Sequence, residues 1–252
     1  MLNDQMRLLI ALLLPIALLG AGPVLIVADE IPAMEVLAAK LKAGAGVESQ
    51  IVTQENMPAK LDSFPVVLVY IHERIGEPAE RAFIEYAEGG GRLILLHHSI
   101  SSGKRRNKFW FPFLKIALPE TPFEQGGYRW IEGVTLEVVN LAPQEFITSH
   151  KVAYPLRVAY RSTESAEQQR AGFHLEDTEV YLNHVFHGPR TLLLGFKYTD
   201  AKTGTTYMQD RAGWYMTAGR GLVMYFMPGH TVHEFENPVY AQILVNAVTF
   251  KP

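Results

Sequence analysis

The sequence has 252 residues, of which 48% are hydrophobic and 19% are charged, and its formal net charge at pH 7 is -3. This composition is typical of a folded protein, because it supplies enough apolar side chains to bury a core. The slight acidity excludes a large basic surface, so nucleic acid is not expected as a partner and small molecules or proteins remain. The sequence contains no cysteine, which excludes a thiol nucleophile, a cysteine-based zinc site and disulfide bonds within it.

Residues 1–21 have the features of a secretory signal peptide. Arg7 precedes an apolar run at residues 8–21, which has the length of a signal-peptide hydrophobic region and is short for a membrane-spanning helix. We therefore predict a leader at residues 1–21 and one exported domain, periplasmic or secreted, at residues 22–252. The alternatives are an uncleaved leader that anchors the protein, which is the only membrane contact expected, and a buried core helix.

The first half of this domain alternates apolar strands with helices. Helices are predicted to begin at Pro32 and Pro78 and to end at glycines. Continuously apolar strands are typical of a parallel sheet that is buried on both faces, and the alternation implies right-handed β-α-β crossovers. We therefore predict a single-domain α/β fold with a flavodoxin-like, doubly wound and mostly parallel sheet. The predicted strands are residues 23–29, 47–52, 65–71 and 92–97.

The alternation weakens beyond residue 100. A basic run at residues 104–108 is expected to be a solvated loop, and irregular chain is expected up to about residue 170. Insertions of this kind usually carry the specificity of an α/β site. Regular structure is predicted again for strands at residues 172–175, 191–197 and 222–226 and for an amphipathic helix at residues 237–250.

Polar residues follow the predicted strands at five places. Ligands of an open parallel sheet bind beyond the carboxyl ends of its strands, so these residues are the first candidates for a site. Adjacent histidines on an extended chain point to opposite faces, so at most one of His97 and His98 is expected to face a cleft. Structural roles remain open for several of them, as helix N-caps or as solvated loop residues. The groups are Asp29 and Glu30, His72 and Glu73, His97 with His98 and Ser99, Gly229 with His230 and Thr231, and the residues Glu176, Asp177, Glu179, Tyr181 and His184.

The residue types favour acid/base chemistry over nucleophilic catalysis. Ser99 follows a strand, but its surroundings lack the Gly-x-Ser-x-Gly frame of a nucleophile elbow. Glutamate and histidine have reference pKa values on either side of the range in which proton transfer is workable near neutral pH. The histidines and Glu179 could form a three-ligand zinc site, although they lack the spacing of His-Glu-x-x-His. We therefore assign no metal ligands and expect no cofactor, with a zinc ion as the open alternative.

Three segments resemble one known family. Residues 89–98 look like its glycine-rich turn, strand and histidine, and residues 179–181 are similar to its Asp-Glu-x-Tyr motif, with Thr178 in place of the aspartate. On these motifs the chain resembles the ThuA-like family, named for trehalose utilisation and related in fold to class I glutamine amidotransferases, and the resemblance runs over most of residues 23–252. The third segment has the spacing W-x4-G-x-G-x3-Y-x3-G-H, formed by Trp214, Gly219, Gly221, Tyr225, Gly229 and His230.

The resemblance implies a class I glutamine amidotransferase-like fold and, as a partner, a small molecule that is a sugar or sugar derivative. Together with the strand-end positions, it gives three catalytic candidates that we expect to converge on one cleft, namely His98, Glu179 and His230. The candidates for substrate binding are His97, Trp110, Tyr181 and His184. Three functions follow as hypotheses: an enzyme that acts on a sugar derivative, a non-catalytic carbohydrate-binding or scaffold protein, and a metal-dependent hydrolase.

Overall fold

A computed structural model of the chain describes residues 22–163 and 165–251. The predicted leader at residues 1–21 lies outside this described part. Within it, none of the helices combines the length and the apolar character that a membrane span requires.

The described residues form twelve strands and six helices. Ten strands make one mixed sheet in the order β2-β1-β3-β4-β12-β11-β10-β6-β8-β7, and β5 pairs with β9 separately. The strands are β1 (Val24–Ala28), β2 (Ser49–Val52), β3 (Val67–Tyr70), β4 (Arg92–Leu96), β5 (Ile116–Ala117), β6 (Arg129–Asn140), β7 (Leu156–Tyr160), β8 (Gln168–Leu182), β9 (Val185–Phe186), β10 (Thr191–Thr199), β11 (Thr206–Ala218) and β12 (Gly221–Phe226). The helices are α1 (Ile31–Ala45), α2 (Glu77–Glu88), α3 (Trp110–Leu114), α4 (Phe146–Ser149), α5 (Val232–Glu236) and α6 (Pro238–Thr249).

One half of the large sheet is parallel. Strand β1 pairs in parallel with β2 and β3, and β4 pairs in parallel with β3 and β12. Helices α1, α5 and α6 pack together, and α2 packs against α3. The crossovers from β1 to β2 and from β3 to β4 run in opposite directions, which places α1 and α2 on opposite faces of the sheet. The α/β class and the elements predicted for residues 23–97 are confirmed.

The other half of the sheet is antiparallel, so the prediction of a mostly parallel sheet is wrong for it. Strands β12, β11, β10, β6, β8 and β7 pair antiparallel in that order. The stretch predicted to be irregular contains β6 and β7, and β8 runs far beyond the predicted residues 172–175. These strands were missed because several of their side chains face solvent, and a half-exposed antiparallel strand lacks the continuous apolar run of a parallel one.

Glycines allow the hairpin between β11 and β12 to pack on the end of α2. Gly219 has a φ of 57°, a conformation that favours glycine. A Cβ atom on Gly221 would lie 2.2 Å from the carbonyl oxygen of Ala87. The two glycines of the ThuA-like motif are therefore required by backbone conformation and by close approach of two elements.

The basic run is not a fully solvated loop, because Lys104 is completely buried. Its ammonium group donates hydrogen bonds to the carbonyl oxygens of Ile71 at 2.7 Å and of His72 at 2.6 Å. Burial lowers the pKa of Lys104 to about 8. Lys104 thus fastens the loop after β4 to the end of β3, beside the candidate site.

Candidate functional site

Glu179 lies at the centre of a cluster of three histidines. Its Oε2 atom is 2.9 Å from Nε2 of His97, 3.3 Å from Nε2 of His98 and 3.5 Å from Nδ1 of His230. Glu179, His97 and His98 are buried, and the side chain of His230 is 23% exposed. The structure therefore brings together the three residues predicted to converge, and it adds His97 to them.

Both histidines after β4 reach Glu179, contrary to the expectation that only one would face the site. The chain leaves the extended conformation at His97, which has a φ of 42°, and residues His97–Ile100 form a 3-10 turn. The rule that adjacent side chains point to opposite sides applies only to an extended chain. The turn brings the imidazoles within 4.1 Å of each other, measured between ring centroids.

Glu179 belongs to a strand rather than to the loop after one. It lies within β8 and pairs with Glu132 of β6, next to two shifts in register on either side of Thr178. Asp177, at the irregularity, has a φ of 48°. Such a bulge bends a strand and turns its side chains, and here it lies two residues before the carboxylate at the centre of the cluster.

The loop after β12 presents His230. Gly229 has a φ of 132°, and a Cβ atom there would lie 2.9 Å from the ring of Phe235 and 3.3 Å from the Cβ of His97. The buried carboxylate of Glu234 accepts hydrogen bonds from the backbone N–H groups of Gly229 and His230, at 2.8 and 2.7 Å. Glycine and glutamate therefore fix the loop that holds His230 against Glu179.

The surroundings of the cluster shift the pKa values of Glu179, His98 and His230 in different directions. Burial by itself would raise the pKa of Glu179, but hydrogen bonds from His230, His97 and His98 outweigh it and hold that pKa well below its usual range. The hydrogen bond with Glu179 raises the pKa of His230. Burial lowers the pKa of His98 to about 3, despite the opposing carboxylate. At neutral pH the site thus combines an ionised carboxylate, a neutral His98 and a His230 that binds a proton more readily than usual.

The hydrogen bonds of His97 fix its tautomer. Its Nδ1 atom is 2.5 Å from the carbonyl oxygen of Met227, which only accepts, so Nδ1 carries a proton. Nε2 of the neutral ring is then an acceptor, and it lies 2.9 Å from Oε2 of Glu179 and 3.2 Å from the hydroxyl of Tyr181, which can donate a hydrogen bond to it. A cation beside Nε2 and Oε2 would contact both acceptor atoms.

The donor atoms of the cluster fit a metal ion. The ligand atoms of His97, His98, Glu179 and His230 all lie within 4.8 Å of one another. Imidazole nitrogen and carboxylate oxygen are common zinc ligands, and a histidine ligand usually donates its other N–H to a carbonyl, as His97 does to Met227. The second such group in the described residues shares His98 and consists of Glu30, His72 and His98.

Glu179 and His98 border a cleft of about 310 Å³. This volume is at the small end of the range for small-molecule sites. His230 borders a neighbouring cleft of about 580 Å³ instead, beside Asp29, Glu30 and Tyr70. The smaller cleft is lined by His72, Glu73, His98, Ser101, Ser102, Gly103, Tyr128, Trp130, Glu132, Glu179 and Tyr181.

The positions of the residues predicted to bind substrate require corrections. Trp110 is wholly buried in the core and donates its indole N–H to the carbonyl oxygen of Ser99 at 2.7 Å, so it is not a platform in the cleft. Tyr181 lines the cleft but has no exposed surface, and its ring stacks on His97 at 4.9 Å. His184 lies behind Tyr181 and is 1% exposed. His97 is likewise buried, and its ring belongs to the cluster rather than to the cleft surface.

Other strand-end residues surround the cluster in supporting positions. Asp29 does not cap α1 but accepts the backbone N–H groups of His72 and Glu73, both at 2.8 Å. The ring of His72 stacks on His98 with 3.9 Å between centroids. Sequence reasoning missed Trp130 and Glu132 in the cleft, because both lie on the unpredicted strand β6.

No protein-family model matches the sequence, and no curated protein matches it. Solved structures do match the fold. A protein described as ThuA-like from Bacteroides uniformis ATCC 8492 has a TM-score of 0.59 and 16% identity, with 89% of each chain covered. Two cytoplasmic proteins from Salmonella typhimurium have TM-scores of 0.57 and 0.58 with 13% and 12% identity, and 90% of this chain and 98% of theirs are covered.

A carbohydrate deacetylase, Agd3, has a TM-score of 0.52 and 12% identity. The match covers 91% of this chain but only 32% of the deacetylase. At such identities a likeness shows the fold alone. The chain thus has the fold of a ThuA-like protein of known structure, in agreement with the family that its sequence motifs resemble.

Proposed function

We propose that the chain is a ThuA-like protein that acts on a sugar or sugar derivative, with the Glu179–histidine cluster as its acid/base centre. The observation that carries the proposal is a single buried carboxylate contacted by three imidazoles at 2.9–3.5 Å. Two of the four groups, Glu179 and His98, also line a cleft of small-molecule size. Perturbed titratable groups that meet at a cleft are the usual mark of a functional site.

The likeness to other proteins supports the same conclusion. The ThuA-like structure shares the fold over most of both chains, and a carbohydrate deacetylase contains a region of similar fold. The order of the parallel strands, β2-β1-β3-β4-β12, supports a flavodoxin-like description of that half of the sheet, as in class I glutamine amidotransferases. Because the chain has no cysteine, it lacks a thiol nucleophile and needs a different chemistry.

The shifted pKa values assign different roles within the cluster. His230, whose pKa is raised, acts as the proton donor from the neighbouring cleft that it borders, and the ionised Glu179 orients it and stabilises its imidazolium form. His98 stays neutral and accepts a hydrogen bond from a hydroxyl group in the cleft. Titratable groups whose environments push their pKa values apart are characteristic of acid/base pairs.

The experiment is turnover of a panel of keto-sugars and disaccharides by the purified protein and by Glu179→Gln. The variant keeps the shape of the side chain and removes its charge, so kcat is expected to fall by about 100-fold or more. Glu80→Gln is the matched control, because Glu80 is an equally buried carboxylate on α2, away from the cluster. Unchanged turnover by Glu179→Gln would remove Glu179 from the mechanism and favour a non-catalytic carbohydrate-binding protein.

Metal-dependent hydrolysis is the second candidate, and the hydrogen bonding of His97 favours it. The fixed tautomer of His97 points a lone pair toward Glu179, and a neutral His98 is in the form that binds a metal. A zinc ion held there would supply Lewis-acid chemistry. Metal analysis of the purified protein tests this candidate. One equivalent of metal, lost in His98→Ala and retained in Glu80→Gln, would favour it, and metal-free protein with full turnover would exclude it.

A further inference from the structure

Trp130 is unusual among the tryptophans of this protein. It is 50% exposed, whereas Trp110 and Trp214 are completely buried. The other exposed large hydrophobic side chain among the described residues is Phe146, at 38%. A single exposed aromatic residue needs no explanation by itself, so the location of Trp130 carries the argument.

The pairing of β6 with β8 places Trp130 on the same face as the cluster. Trp130 is opposite Tyr181, and Glu132, two residues further along β6, is opposite Glu179. Residues that alternate along a strand share a face, and so do residues directly opposite each other. Accordingly, all four side chains line the cleft of about 310 Å³. The exposed indole is therefore a wall of the same cleft that contains Glu179.

The polar groups of the cleft limit the ligand that fits beside this indole. Hydroxyl and imidazole groups of Ser101, Ser102 and His72 line the cleft, and each can exchange a hydrogen bond with a ligand hydroxyl. Three carboxylates, those of Glu73, Glu132 and Glu179, line it as well, and none of its described lining residues is a lysine or an arginine. An anionic ligand would be repelled, and a wholly apolar ligand would leave buried polar groups without partners.

We propose that Trp130 is the platform on which a neutral pyranose ring stacks while its hydroxyl groups bond to the polar wall of the cleft. A pyranose presents carbon-bound hydrogens on one face and hydroxyl groups around its edge, which matches an indole face bordered by acceptors. This assignment rests on the proposed function and specifies its substrate class. The three carboxylates disfavour phosphorylated and acidic sugars, and open-chain polyols are disfavoured because they lack the flat face.

Binding of simple sugars to the full chain tests the assignment. The probes are the methyl glucopyranosides and methyl galactopyranosides, with glucitol and glucose 6-phosphate as comparisons. They are titrated by calorimetry and by saturation-transfer NMR. Indole fluorescence gives a further readout, since Trp130 is the exposed one of three tryptophans. At least one methyl pyranoside is expected to bind tenfold or more tightly than glucitol or glucose 6-phosphate.

The variants separate the platform from the rest of the site. Trp130→Ala is expected to weaken pyranoside binding about tenfold, equivalent to about 1.4 kcal/mol, whereas Trp130→Phe is expected to stay within about threefold because it retains a ring. Phe146→Ala, which removes an exposed aromatic ring away from the cleft, should bind like the parent.

Three failures can be told apart. Equal binding by the parent and Trp130→Ala would overturn the platform and leave the proposed function intact. A parent protein that neither binds nor turns over any sugar of the panels would overturn both. Preferential binding of glucose 6-phosphate would overturn the neutral-sugar assignment.

Discussion

Replacing His184 should make the protein more resistant to acid. Both ring nitrogens of His184 are buried without a hydrogen-bond partner among the described residues, and the residue is 1% exposed. Burial, and then the nearby charges of Arg211 and Arg190, lower its pKa to about 3. The aromatic rings of Tyr128, Tyr181 and Tyr225 pack around it. The native site thus accepts His184 only in its neutral form.

The magnitude follows from proton linkage. In the unfolded chain His184 titrates near its ordinary pKa of about 6.5, so below that pH the unfolded state binds a proton that the native state does not. The free energy of unfolding therefore falls as pH drops from about 6.5 toward the native pKa of about 3. At pH 5, which is about 1.5 units below the pKa of the unfolded chain, proton binding to the unfolded state lowers the free energy of unfolding by about 2 kcal/mol. Replacing His184 also removes the two buried nitrogens that lack hydrogen-bond partners, which raises the free energy of unfolding by about 1–3 kcal/mol at every pH.

Urea unfolding at pH 7.5 and pH 5.0 measures this effect. His184→Phe is expected to have a higher free energy of unfolding than the parent, and this gain should be about 2 kcal/mol larger at pH 5.0 than at pH 7.5. His184→Gln, which fits the site with less added volume, should show the same pH-dependent difference even if its overall stability is lower. His233→Gln is the control, because the side chain of His233 is 84% exposed. If the gain of both variants were the same at the two pH values, the reasoning about a buried neutral histidine would be refuted.

Three further predictions concern the cluster, the fold and the leader. Glu179→Gln should lower the pKa of His230, followed by NMR titration of its ring protons, because the carboxylate raises that pKa in the parent; an unchanged titration would contradict the contact. Gly221→Ala should destabilise the protein by about 2 kcal/mol in thermal unfolding, since the added Cβ would meet backbone atoms at the end of α2. Gly76→Ala is the control and should be nearly neutral, because no atom lies nearer than 3.5 Å to the Cβ it adds. The predicted leader should be absent from the intact mass of the exported protein, and a full-length mass in the membrane fraction would favour the anchor instead.

The sequence determined the parallel half of the fold because the relevant signals are local. Short continuous apolar runs such as Val24–Ala28, rich in β-branched residues, are typical of a strand covered on both faces. Proline and glycine mark the ends of α1 and α2 through their own backbone restrictions. The topology of a parallel sheet then places His98 and His230 at one edge, since each follows one of two neighbouring parallel strands.

Only the tertiary structure decided which side chains complete the site. Glu179 reaches the histidines through the pairing of β8 with β6 and the irregularity at Asp177, and strand register across some fifty residues leaves no local pattern to read. Likewise, Trp110 and Trp130 are chemically identical in the sequence, but one fills the core and the other lines the cleft. Burial is a property of the packed chain, because it depends on which distant elements cover a side chain.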